Sequence, residues 1–97
     1  MAKRSDIIKI SKMISKGFFN KQVNKKLKKQ KEVLVDDIMV AGFREEKGKY
    51  IILLYLPYLK KEYCEMIFDM EDGMLLRLSM YNAYICQSYK RKQKDNT

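Results

Sequence analysis

The chain contains no histidine and no tryptophan, one proline, two cysteines and four glycines among its 97 residues. Without histidine neither a Ser-His nor a Cys-His pair can be built, and a metal would have to rest on carboxylates alone. Cys64 and Cys86 lie far apart in sequence, outside zinc or redox spacing, so free buried thiols are expected. The longest uninterrupted apolar run, YIILLYLPYL at residues 50–59, is ten residues long and contains Pro57. A bilayer span requires about 20. The first residues, MAKRSDIIKI, open with positive charge, but no apolar block of signal-peptide length and no small-residue cleavage site follow, which points to the cytoplasm.

Other chemistry is scarce too. Gly17, Gly42, Gly48 and Gly73 form no phosphate-cradling motif, and Asp69, Glu71 and Asp72 beside Gly73 lack the twelve-residue ligand pattern of a calcium loop. Asp36 or Asp37 followed by Glu45-Glu46-Lys47 has the spacing some metal-dependent nucleases use, an acid on one strand and an acid and lysine on the next. Here Glu45 to Gly48 are expected in a turn rather than on a rigid strand. No catalytic residue, cofactor or metal is therefore expected.

What is present is charge, unevenly placed. With 46% hydrophobic and 34% charged residues the chain falls in the globular range, and its length suits a single domain over residues 1–97. The net charge is +9, but residues 1–31 hold eleven Lys or Arg against Asp6 alone, residues 32–89 hold six bases against ten acids, and residues 90–97 add four bases and Asp95. Segregation of this kind builds a field that a polyanion can recognise, whereas solubility needs only scattered lysines.

Periodicity gives an α+β expectation: a basic N-terminal helix or helix pair in residues 1–31, a four-stranded antiparallel β-meander over 32–80, a short C-terminal helix over 81–92 and a frayed basic tail over 93–97. Ser5 before Asp6 is a fair N-cap, and Ile7, Ile10 and Ile14 recur at helical spacing to about Lys16. Gly17 interrupts, then Phe19, Val23 and Leu27 begin a second apolar stripe, so residues 6–30 read as one helix or two. EVLVDDIMVAGF and KYIILLYL read as strands around a REEKGK turn, and Pro57 should end the second, leaving PYLKK as a connection. In 62–80, Cys64, Met66, Phe68 and Met70, then Met74, Leu76, Leu78 and Met80, alternate about Gly73 as a hairpin would. Tyr63, Met66, Ile67 and Met70 also fit a helix. Tyr81, Tyr84, Ile85 and Tyr89 return to helical spacing before the polar end.

With terminal helices covering one sheet face, both basic ends would meet on one surface opposite an acidic sheet face. Lys12, Lys16, Lys21, Lys25, Lys28 and Lys29, joined by Lys90, Arg91 and Lys92 (and Lys94 beyond them), are then candidate phosphate contacts. Asn20, Gln22 and Asn24 are candidate readers of base edges. Duplex DNA is favoured over single strands because tryptophan is absent and most tyrosines are expected in core positions. A helix pair followed by strands would resemble, in outline, part of a winged-helix arrangement, with Arg44, Lys47 and Lys49 on the wing. The expected function is a small DNA-binding accessory or regulatory protein. Two alternatives are an amphipathic membrane-surface helix anchored by Phe18 and Phe19, and a phage- or plasmid-type inhibitor or adaptor that binds a protein partner. The mixed sheet face, with Ile67, Leu75 and tyrosines, suggests a homodimer.

Overall fold

The computed structural model describes residues 1–27 and 32–82. Within them one α-helix, α1 (Arg4–Leu27), lies across a four-stranded antiparallel sheet of strands β1 (Met39–Glu46), β2 (Lys49–Leu56), β3 (Leu59–Asp69) and β4 (Leu75–Asn82), in the order β1-β2-β3-β4. The α+β class and the meander agree with the sequence. Of the expected C-terminal helix, Tyr81 and Asn82 instead continue β4, and residues 83–92 and the tail 93–97 lie outside the described residues.

The helix is single. Gly17 does not break it, which removes the helix pair and with it the winged-helix outline. An interior glycine costs about 1 kcal/mol relative to alanine. Against that stand Phe19 and Val23, both fully buried beyond it, each worth roughly 1.5–3 kcal/mol. Ile7, Ser11, Ser15, Phe19 and Val23 form one buried row at four-residue spacing, the ridge by which a helix seats obliquely on its neighbour. Ile10, expected on that stripe, is exposed, and Ile14 is only partly buried. The two small serines between the large residues let the helix sit close, and their hydroxyls are satisfied by donating to Ile8 O (2.8 Å) and Lys12 O (3.2 Å).

The facing side of the sheet is built by strict alternation. Tyr50, Ile52, Leu54 and Leu56 of β2 and Cys64, Met66 and Phe68 of β3 are all buried under the helix. The start of the chain is fastened to the same layer: Ala2 N donates to Met70 O (2.8 Å), the Tyr50 hydroxyl donates to Ala2 O (3.0 Å), and the Arg4 guanidinium stacks 4.4 Å from the Phe43 ring centroid. Residues 62–80 are a hairpin, not a helix.

Several boundaries differ from the sequence expectation. The segment from Val33 to Ile38 is a connector with a 3-10 turn at Val35–Asp37, because Val33 and Ile38 are buried as core plugs and β1 starts only at Met39. The β1–β2 turn is just Lys47-Gly48, both with positive φ (51° and 76°), the geometry that matches strand twist in two-residue hairpins. Glu45 and Glu46 thus lie on β1. Asp36 and Asp37 precede the other end of that strand, so at about 3.4 Å per residue the two acid pairs are more than ~20 Å apart and form no shared metal site. Pro57 and Tyr58 alone connect β2 to β3, and Lys60 and Lys61 are in the strand. A register shift sets Phe68 opposite Leu75 but Ile67 opposite Arg77. That extra residue reverses the alternation at the start of β4, so Leu78 and Met80 pack on the core while Met74 and Leu76 are exposed.

Candidate nucleic-acid interface

A helix packed along a four-residue row leaves three further rows. Directly opposite the core run Lys9, Met13, Gly17, Lys21 and Lys25, all exposed. On one flank are Lys12, Lys16, Asn20 and Asn24; on the other are Ile10, Ile14, Phe18, Gln22 and Lys26. Lys9 to Lys25 spans about 24 Å of helix at 1.5 Å per residue, the length of roughly seven base pairs of duplex. Lys25 and Lys26 also occupy the last turn, where a positive charge meets the negative end of the helix dipole.

The candidate residues divide by what holds them. Among the described residues, Lys9, Lys12, Lys21 and Lys25 have no carboxylate partner. Lys16 pairs with Glu32 at 3.5 Å, and Lys26 pairs with Glu62 of β3. The Lys16–Glu32 pair is at the surface, worth about 0–1 kcal/mol, so a phosphate can compete for Lys16, whereas the Glu62 partner of Lys26 is largely buried. Asn20 is committed elsewhere, since its Oδ1 accepts from the Val33 amide at 2.7 Å. Gln22 is half-buried, which leaves Asn24 as the exposed amide of the three. Lys28, Lys29, Lys90, Arg91 and Lys92 lie outside the described residues. Lys9 escaped the sequence reading, although it shares a four-residue row with Lys21 and Lys25.

The helix geometry bears on the membrane alternative. Phe19 is fully buried and Phe18 is exposed, so the two do not form one interfacial anchor pair. Ile7, Phe19 and Val23 are spent on the core, leaving Ile10, Met13 and Phe18 as the exposed apolar residues among the described side chains of α1. No helix among the described residues is long and apolar enough to cross a membrane.

The opposite side of the sheet is not acidic as expected. In register across the strands it carries Arg44, Ile51, Ile67 and Arg77 in one row, Gly42, Leu53, Glu65 and Ser79 in the next, and Met39, Tyr55, Tyr63 and Tyr81 beyond. Tyr55, Tyr63 and Tyr81 are therefore half-buried surface residues on the face away from the helix, and among the described residues Tyr50 is the core tyrosine. Glu65 is 8% exposed and accepts from the Tyr81 hydroxyl at 3.3 Å.

Among the described residues, two groups titrate away from their ordinary range. Burial, reinforced by the Glu65 charge, pushes the Cys64 thiol up to about 12, so this free cysteine is an unreactive core side chain. Cys86 lies outside the described residues. Burial and the Asp37 carboxylate raise the Tyr58 phenol. No family profile, curated protein or solved structure matches this chain.

Proposed function

We propose that this is a small, non-catalytic, cytoplasmic protein that binds duplex DNA through phosphate contacts from the outward side of α1, as an accessory or regulatory factor. The observation that carries the reading is the set Lys9, Lys12, Lys21 and Lys25, cations without carboxylate partners among the described residues, on a helix whose apolar row is already buried. Lys28, Lys29, Lys90, Arg91 and Lys92 would add further positive charge to this set. With Asn20 engaged by the main chain and Gln22 half-buried, base reading falls largely to Asn24, which favours binding that tolerates many sequences.

The test is fluorescence anisotropy with a labelled random duplex at rising salt, for the intact protein and for Lys9, Lys12, Lys21 and Lys25 changed together to Gln. Each phosphate neutralised adds about 0.9 to the slope of log affinity against log salt, so the slope should shrink by about three to four in the variant. Absence of duplex binding at low salt, with the protein folded by circular dichroism, would sink the proposal and leave an acidic protein partner as the reading to pursue.

A further inference from the structure

We infer that the sheet face turned away from α1 is the contact surface between two copies of this chain. An antiparallel sheet can leave one face in water when that face is polar. Here its centre is Ile51, Leu53 and Ile67, flanked by the tyrosine row, and among the described residues no element packs over it.

Charge permits a second copy on this face and disfavours a polyanion. Two molecules of net charge +9 repel one another, and their helix faces most of all. On the outer sheet face the described charges balance, with Arg44, Lys49 and Arg77 against Glu46, Glu65 and Asp69. A polyanion gains little from a balanced surface, whereas a second copy presenting the same balanced face meets no net repulsion there.

Size agrees. Four strands about 4.8 Å apart and some seven residues long give a patch of roughly 20 by 25 Å, or about 500 Å² in projection, and side-chain relief raises the buried surface toward the ~800 Å² per partner of a standard interface. The dimer should therefore dissociate on dilution. With sheets stacked about 10 Å apart, the two α1 helices would face outward on opposite sides. If the duplex reading also holds, a dimer bridges two duplexes; the pairing itself does not depend on that reading.

Sedimentation equilibrium without DNA, from low micromolar to several hundred micromolar protein, tests the pairing. The weight-average mass should rise from 11.6 kDa and level off at twice that value, and Ile67→Glu or Arg77→Glu should each hold it at the monomer. Arg77 is exposed, so Arg77→Glu decides the matter should Ile67→Glu fail to fold by circular dichroism. A monomer at every concentration overturns the inference. So does association that continues past two copies, or a dimer indifferent to Arg77→Glu.

Discussion

The Val33 amide donates to Asn20 Oδ1 at 2.7 Å, tying the third turn from the end of α1 to the chain that returns toward the sheet. Val33 is fully buried, so Asn20→Ala leaves its amide without an acceptor, at about 1–3 kcal/mol. Urea unfolding should show that loss. Duplex affinity of the folded variant at fixed salt should be unchanged; a tenfold drop would show instead that Asn20 contacts DNA.

Ser15 separates core packing from hydrogen bonding. Ser15→Ala gives up the bond to Lys12 O, a net of about 0.5–1.5 kcal/mol, but gains several tenths in helix propensity, so its melting temperature should barely move. Ser15→Leu has no room beneath the helix and should lose about 1–3 kcal/mol. Thermal melts distinguish the two readily, since 1 kcal/mol shifts a domain of this size by about 4–8 °C.

Gly17→Ala should stabilise the protein by roughly 0.5–1 kcal/mol. The residue is helical, faces outward and has no atom within 4 Å of the position its Cβ would take. A turn between two helices would favour glycine there and reverse the sign. The change in denaturant midpoint therefore checks the single helix directly.

Cys64 should resist thiol reagents in the native state. In a Cys86→Ser background, labelling at pH 8 should follow unfolding and accelerate sharply in denaturant. The folded thiol keeps its proton until about pH 12 while the unfolded one loses it near 9. The stability this represents is complete below pH 9 and declines as pH climbs toward 12, with a slope of up to about 1.4 kcal/mol per pH unit. Rapid native labelling at pH 8 would contradict the burial.

Strands and turns were legible wherever local chemistry dictates them. Alternation in KYIILLYL, a glycine needed at positive φ beside Lys47, and Pro57 closing β2 are signals within a few residues. The helix was harder. Ser11 and Ser15 are polar by composition, so the row joining Ile7 to Phe19 has no hydrophobic signature, and the eye is drawn to Ile10 and Ile14 instead. The outward placement of Leu76 has a similar origin, because a register shift depends on how β3 and β4 pair and leaves no mark in either strand alone.

The sequence by itself determined the α+β class, the meander and the concentration of positive charge in the first thirty-one residues, because periodicity and charge are local properties of the chain. Only the tertiary structure decided which lysines lack carboxylate partners among the described residues, that Asn20 is occupied, and that three tyrosines line up on the outer face. Each of these depends on contacts between segments distant in sequence, and those exist only once the helix has chosen its row and the strands their register.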